Sequence, residues 1–292
     1  MSTGPSRPAY SPDPAAVPSR RLSPEATRMP GALGTLGAQL RAELLANIRL
    51  PEYVVGVVAV PIILYTMFGL PAAGTLLPGG TDVGGMLFAS MSAYGVVSLA
   101  IFTFGVGVAD ERGKGWLWRM RATPMPFWAY FVAKVIGALA FCALILLGTW
   151  AVAALAGKVA FDGRRLLHTV LILFAGTVAF STMGFSLAYW FRPKAASAIG
   201  NLVFLPLSFI SGFFFPLDQL PDVLGTVAPY LPTYHFGQLV WSAMAPEQDV
   251  IAFGALAEGS ALSHVIWVLA GFVVFGALAW QGYRRELTRA AQ

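Results

Sequence analysis

The sequence predicts an all-α integral membrane protein with six transmembrane helices. Of its 292 residues, 57% are hydrophobic and only 11% are charged, and the charges are concentrated between six long uncharged runs. A soluble domain has about a quarter of its residues charged, so this composition excludes an ordinary soluble fold. Uncharged apolar runs of about 18 residues or more are instead typical of helices that cross a bilayer.

Two segments precede the first of these runs. Residues 1–30 contain seven prolines and no apolar periodicity, which predicts a disordered tail. From Gly31 to Arg49, leucine and isoleucine recur every three or four residues, with arginine, glutamate and asparagine on other faces. This spacing predicts an amphipathic helix, and its position beside a span favours a location in the membrane interface. The transmembrane domain is therefore expected over residues 31–292.

The six predicted spans are long enough to cross the hydrocarbon, because 18 helical residues rise about 27 Å. They cover about residues 53–70, 84–109, 127–157, 169–191, 195–217 and 261–281. Lys134 lies two turns inside the third span, and its ammonium is expected to extend back to the nearer interface. No aspartate or glutamate falls within any predicted span.

Prolines divide the hydrophobic stretch between the fifth and sixth spans. Pro221, Pro229 and Pro232 leave pieces of a dozen residues or fewer within Leu220–Met244, too short to cross. The pattern predicts a re-entrant helical hairpin on the external side, before the last span. Aromatic side chains in this stretch are expected at the depth of the lipid headgroups. They are Tyr230, Tyr234, Phe236 and Trp241.

The distribution of basic residues predicts the orientation of the chain. Fifteen lie in the N-terminal segment, the loop after the second span, the joint after the fourth span and the C-terminus, all on one side. The other side carries Lys158, Arg164 and Arg165, whereas five acids lie in Asp218–Ser260. Because lysine and arginine are enriched in cytoplasmic loops, both termini are expected to be cytoplasmic.

Several kinds of site are excluded by the motifs that the sequence lacks. No G-x-x-x-x-G-K-[ST] loop is present to hold ATP, so this chain is not expected to bind a nucleotide cofactor or hydrolyse ATP. His168, His235 and His264 have no zinc-site spacing, and each is interpreted as an interfacial polar residue. The net charge of +5 comes from basic residues beside the spans, where membrane lipids would meet them, so nucleic-acid binding is not expected.

The spans also lack the mid-membrane carboxylate that ion-coupled transporters generally use. Small polar side chains in the spans either line a path for an amphiphilic cargo or hydrogen-bond between helices, and the second interpretation is favoured. Prolines and a glycine are candidate points of bending. The candidate path and hinge residues are Pro61, Asn201, Pro206, Ser208, Ser211 and Gly212.

The loop after the second span, Asp110–Pro126, is a charged and aromatic stretch on the predicted cytoplasmic side. As a helix it would place Trp118 on the charged face with Lys114 and Arg121, away from Trp116. It is either an interfacial anchor or a docking surface for a cytoplasmic subunit. The residues expected to contact such a subunit are Glu111, Arg112, Gly113, Lys114, Trp118, Arg119 and Arg121.

The order of elements and two motifs resemble the ABC-2 type transporter permease family, particularly its drug-resistance and antibiotic-export branch. The loop fits E-R-G-x-G-x-[LW]-x-R-x-[RK]-x-[TS]-P from Glu111 to Pro124. The second motif runs from Asn201 through Pro216 and continues to the Leu231-Pro232 and His235-Phe236 pairs. The resemblance covers about Leu36–Arg285 and leaves out the proline-rich tail.

The resemblance implies the permease subunit of an ATP-driven exporter in a bacterial plasma membrane. Such a permease would pair with a second copy of itself and with two separate ATP-binding subunits, which would hold ATP and Mg. Glu111–Pro124 would form a coupling helix seated on those subunits. An amphiphilic drug, lipid or glycoconjugate would move outward between the first, second and fifth spans. The alternatives are a non-transporting membrane scaffold and a carrier driven by an ion gradient.

Overall fold

A computed structural model describes residues 31–116, 119, 126–254 and 259–289. Within this part of the chain the structure is all-α, and six helices are long and apolar enough to cross a membrane, which confirms the predicted fold class. A shorter helix precedes them. In chain order these helices are α1 (Ala32–Ile48), α2 (Pro51–Ala72), α3 (Val83–Gly113), α4 (Trp128–Ala156), α5 (Gly163–Trp190), α6 (Pro193–Ile210) and, last, the sixth span (Ala261–Thr288). The tail predicted over residues 1–30 lies outside the described residues.

The amphipathic segment is helical and packs against α4. Glu43, on the inner face of α1, is 6% exposed, and its side chain lies over Gly137 of α4. A glycine at this position leaves room for the glutamate between the two helices. The location of α1 in the membrane interface stays a prediction.

The central helix of the fold is α3. Of the apolar stretch of α3, 89% is buried by the rest of the protein, compared with 22% for α6 and 11% for the sixth span. The first half of α3 is rich in glycine, alanine and serine, which let neighbouring helices approach closely. As a result α2, α4, α5 and α6 all pack around α3, while α6 and the sixth span expose apolar side chains.

Three of the described spans contain wide, π-helical turns, and in α4 they cover its last residues, Val152–Ala156. In α3 they cover Leu99–Gly107, where α5 packs against the helix. In α2 they cover Val54–Ala59 and Tyr65–Gly69, on either side of Pro61. Proline has no N–H for the hydrogen bond of the preceding turn, and changes of helical pitch are one way to accommodate it. The buried Pro61 ring lies against α3 at Gly95.

The fifth span ends earlier than predicted. Helix α6 stops at Ile210 rather than at Leu217, because Gly212 has a φ of +78°, a left-handed conformation that ends a helix. The Phe213 amide then donates to the Ser208 carbonyl at 3.2 Å. Residues 213–217 therefore belong to the turn that follows the span.

In the described part of the connection from α6 to the sixth span there are three short α-helices, α7 (Asp222–Val227), α8 (Pro232–Met244) and α9 (Glu247–Ala252), and two single 3-10 turns. The last span (Ala261–Thr288) is labelled α10 from here on. Most of α8 is buried against α3, α5 and α10. The entry of this hairpin into the membrane stays a prediction.

The aromatic residues of the hairpin occupy a different place from the one predicted. Tyr230 is 70% exposed, but Tyr234, Phe236 and Trp241 are 1–2% exposed within the protein. The prediction of headgroup contacts was wrong for these three, because α8 packs between spans and turns its aromatic face inward. The Trp241 indole donates to the Ser90 hydroxyl of α3 at 2.8 Å, which fixes α8 to the central helix.

The connections opposite the end of α3 are held together by Asp249. Its carboxylate accepts hydrogen bonds from the backbone amides of Gly79 and Thr81, which joins α9 to the α2–α3 loop. Lys158 and Arg165 line a cavity with these loop residues. Lys158 and Arg165, two of the basic residues on the side predicted to be external, thus lie at the same end of the bundle as the other segments predicted to be external.

Candidate functional site

Charged side chains from four helices meet at the end of α3, where the predicted coupling loop begins. The Lys134 ammonium of α4 lies 2.8 Å from the Glu43 carboxylate of α1 and 2.8 Å from the Glu111 carboxylate of α3. Arg112 of α3 binds Glu286 of α10. We call these five residues the junction.

Lys134 does not extend to the membrane interface as predicted. It is 2% exposed, and the side chains of Glu43 and Glu111 are 7% and 30% exposed. Two carboxylates supply a closer and stronger partner than water for a buried ammonium. The Tyr130 hydroxyl donates to the second oxygen of Glu111 at 2.5 Å, so both oxygens of this carboxylate are hydrogen-bonded.

Arg112 joins α3 to α5 and α10. Its Nε lies 3.0 Å and 3.1 Å from the two carboxylate oxygens of Glu286. Its Nη1 donates to the carbonyl of Ala188, near the end of α5, and the guanidinium lies 5.4 Å from the centre of the Tyr189 ring. The helix end that precedes the loop is thereby bound to α4, α5 and α10, and through Lys134 of α4 it is linked to α1.

The two glycines of the E-R-G-x-G motif are required by the backbone, one for a close helix contact and one for a turn. A side chain at Gly113 would come within 2.5 Å of Pro193, so this glycine permits close contact between the end of α3 and the start of α6. Gly115 has a φ of +71°, and its amide donates to the Arg112 carbonyl at 3.0 Å. The chain therefore turns sharply directly after the junction.

The remaining loop residues point outward where they are described. Lys114 pairs with Asp110 at 2.6 Å on the exposed side, and this hydrogen bond raises the pKa of Lys114. Arg119 is exposed, with its guanidinium 3.5 Å from the Lys114 carbonyl. Trp118 and Arg121 lie outside the described residues, and their contact with a partner stays a prediction.

The observed spans contain carboxylates that the predicted spans did not. Helix α3 continues to Gly113 and so includes Asp110 and Glu111, while Glu52 and Glu286 lie in the end turns of α2 and α10. All four are at the junction end of the bundle. Over the described residues, the middle of each span has no aspartate or glutamate.

The candidate path residues divide into two groups. Asn201 and Pro206 lie on the exposed face of α6, and the Asn201 amide donates to its own helix at Ser197. Ser208 and Ser211 are fully buried; Ser208 donates to its own helix, and Ser211 contacts the Thr233 hydroxyl of α8 at 2.7 Å. The buried serines therefore make helix contacts within the chain, whereas α6 presents Asn201 to its surroundings.

Pro61 and Gly212, the other two members of that set, are buried within the bundle. Gly212 ends α6, so it is a point where the chain changes direction. Over the described residues, no group of three histidine, cysteine or carboxylate side chains could hold a metal ion.

Two histidines that the sequence keeps 29 positions apart are hydrogen-bonded at the end opposite the junction. His235 of α8 and His264 of α10 lie 2.8 Å apart through their Nδ1 atoms, and the His235 Nε2 lies 2.8 Å from the Pro229 carbonyl. The carbonyl can only accept, so His235 carries its proton on Nε2 when neutral, and His264 then donates from Nδ1. Nothing in their spacing indicated this pair.

These helices and the charged junction at one end define a multi-pass helical membrane protein. Residues 80–280 match the family described as ABC-2 family transporter protein, more than half of the chain. The chain therefore belongs to the ABC-2 transporter family, as its motifs suggested. It is 25% identical over 209 residues to "Putative transport permease YvfS" of Bacillus subtilis (strain 168), covering 72% of this chain and 85% of that protein.

Proposed function

We propose that this chain is the permease subunit of an ATP-driven exporter in a bacterial plasma membrane. A separate ATP-binding subunit, in two copies, binds ATP and Mg and docks on the loop that follows α3. The permease itself acts as a homodimer and moves an amphiphilic drug, lipid or glycoconjugate outward. Family membership supports a transport role with an ATP-binding partner.

The junction is the observation that carries this proposal. Glu111 and Arg112 are the first residues of the predicted coupling loop, and they bind side chains or backbone of α4, α5 and α10. Lys134 of α4 extends this network to Glu43 of α1. A displacement of the loop by the ATP-binding subunits would therefore move several spans together. Packed elements joined by hydrogen-bonded charges transmit such a displacement better than separately mobile helices.

The exposed face of α6 supports the predicted path. Asn201 is a polar residue in the middle of a span, and it lies on a face that exposes Leu202 and Leu205. A polar side chain facing lipid at this depth is unfavourable, whereas one facing a partner helix or a wet cavity is not. We therefore place the second copy or the cargo path at this face.

Reconstitution with the ATP-binding subunit that co-purifies with the chain tests the proposal. In liposomes the complex should hydrolyse ATP and move amphiphilic cargo, and the isolated permease should do neither. Arg119→Glu and Trp118→Ala should weaken ATPase binding, since loss of an interface anchor costs about 2 kcal/mol, roughly thirtyfold in affinity. Arg284→Glu, at an exposed position of α10, is the matched control and should bind normally.

The alternatives give different results in the same experiment. A scaffold would show no flux with or without ATP. A carrier driven by an ion gradient would show flux from the isolated chain when a gradient is imposed. Full ATPase binding and full flux in both loop variants would make the loop an interfacial anchor and remove the main support for the proposal.

A further inference from the structure

The end of the molecule opposite the junction contains a cavity of about 840 Å³. It lies between the first turns of α5 and α10 and the hairpin helices α8 and α9. Two arginines and two carboxylates line it: Arg164, Arg165, Asp162 and Glu247. Among the described residues, the cavity thus offers two side chains of each charge.

The base of the cavity includes a buried polar side chain without a partner. Gln238 of α8 is 1% exposed and lines the cavity, and its amide nitrogen donates to no partner among the described residues. Buried amide groups are nearly always hydrogen-bonded, so an unpaired one beside a cavity indicates a ligand or water there. Arg165 reaches the same region, with its Nη1 3.4 Å from the Met244 carbonyl.

The position of the cavity relative to the bilayer narrows the class of ligand. Span α5 begins at Gly163 and span α10 at Ala261, so the cavity lies where spans meet the headgroup layer. Beyond it, both spans expose apolar side chains along their length. These include Leu167 and Leu171 on α5 and Leu262 and Ile266 on α10, each 55–68% exposed.

We propose that this cavity binds the headgroup of an aminophospholipid from the adjoining leaflet. The phosphate contacts the guanidinium groups of Arg164 and Arg165, and the ammonium contacts the carboxylates of Asp162 and Glu247. The acyl chains lie along the exposed leucines of the two spans. The inference goes beyond the proposed function, because it holds whether or not the chain couples to an ATPase.

The balance of charge favours a zwitterionic headgroup over a purely anionic one. An anionic headgroup would satisfy the arginines but would also lie against the carboxylates of Asp162 and Glu247, of which Asp162 already accepts from the backbone amides of Arg164 and Arg165. A headgroup with phosphate and a primary ammonium gives each charged side chain an opposite partner. It also supplies acceptor oxygens for the Gln238 amide, as hydrogen bonds to charged groups are the stronger ones.

Native mass spectrometry of the purified full chain in a neutral detergent tests this site. The probes are dihexanoyl phosphatidylethanolamine, dihexanoyl phosphatidylglycerol and free phosphoethanolamine. We expect the ethanolamine lipid to bind tightest. Arg164→Gln and Glu247→Gln, both at exposed positions, should each weaken it about tenfold, the effect of losing one charge-assisted hydrogen bond. Arg284→Gln, at the opposite end, should leave it unchanged.

Three results would overturn the proposal. Equal binding of the glycerol lipid would remove the role of the ammonium. Equal binding of free phosphoethanolamine would make this a site for a soluble zwitterion instead. Undiminished binding by both Arg164→Gln and Glu247→Gln, in variants that unfold at the normal temperature, would place the lipid elsewhere. The experiment contains no ATPase, so its failure leaves the proposed transport function untouched.

Discussion

Lys134 is buried between two carboxylates that belong to different helices. An ammonium in this position loses its hydration, and the loss is offset only when its partners are close and well oriented. Both distances of 2.8 Å meet that condition. The lysine therefore acts as a link between α1 and α3, and removing it leaves two carboxylates near each other without a counter-charge.

Lys134→Met should destabilise the protein by about 3 kcal/mol, because it removes the positive partner from a buried ion cluster. Thermal unfolding in detergent measures the change. Lys114→Met is the matched control: its side chain is 73% exposed and pairs with Asp110 at the surface, so its unfolding temperature should stay close to that of the unchanged protein.

A second substitution separates the charge effect from the loss of packing. Glu43→Gln combined with Lys134→Met removes one uncompensated carboxylate, and the double variant should recover part of the lost stability. Strictly additive losses in the double variant would mean that Glu43 and Lys134 are not energetically coupled.

The buried side chain of His235 should make the folded protein less stable in acid. Burial lowers its pKa below the usual value, although the hydrogen bond to Pro229 favours the charged form. The unfolded chain then binds a proton near pH 6.5 that the folded chain binds only at lower pH. This contribution to stability is complete above about pH 6.5 and falls as the pH drops below it.

The unfolding temperature measured at pH 7 and pH 5 tests this effect. The decrease should be smaller in His235→Gln, and it should persist in His168→Gln, because His168 is exposed. An identical decrease in all three proteins would assign the acid sensitivity to other groups.

The contact between α5 and the π-helical part of α3 depends on Gly184, a glycine of α5. A Cβ atom at Gly184 would overlap the backbone carbonyl oxygen of Ala100 and lie 2.6 Å from the Cβ of Phe104. Backbone cannot move aside as a flexible side chain can. The wide turns of α3 and the bare face of α5 are therefore parts of one close helix contact.

Gly184→Ala should destabilise the protein by about 2 kcal/mol, the usual effect of overpacking a close contact. Gly276→Ala in α10 is the control, because its new methyl group would meet Thr182 at an ordinary 3.7 Å. Unfolding temperatures of the two variants, measured side by side, give the difference. A Gly184→Ala protein as stable as the Gly276→Ala protein would show that the two helices are less tightly packed than described.

The topology of the whole chain can be tested by single-cysteine labelling in a Cys142→Ala background. A membrane-impermeant maleimide should label Glu247→Cys in intact cells, and Lys194→Cys only after permeabilisation, since both positions are exposed and lie at opposite ends. Basic residues predict this orientation. Labelling of Glu247→Cys only from the cytoplasm would contradict the predicted orientation.

The class of fold, a bundle of transmembrane helices, could be predicted from composition, because long uncharged apolar runs rarely form any other structure. The partners of individual side chains could not. Lys134 is 91 positions from Glu43 and 23 positions from Glu111. No local pattern in a single sequence shows which of these charges meet. A lysine within an apolar run still indicated that Lys134 needs a partner. The expectation that its ammonium extends to the nearer interface overlooked the acid on α1. His235 and His264 gave no comparable signal.

The charged links of the junction also bear on how the protein is made. Glu43 and Glu111 are synthesised before Lys134, so both acids are present when the helix that carries the lysine leaves the ribosome. A lone lysine at the centre of an inserting helix costs about 2.5–3.5 kcal/mol, less near the end, and pairing removes part of that cost. We therefore expect α4 to integrate as a hairpin with α3, so that its stable insertion depends on helices translated before it as well as on its own hydropathy.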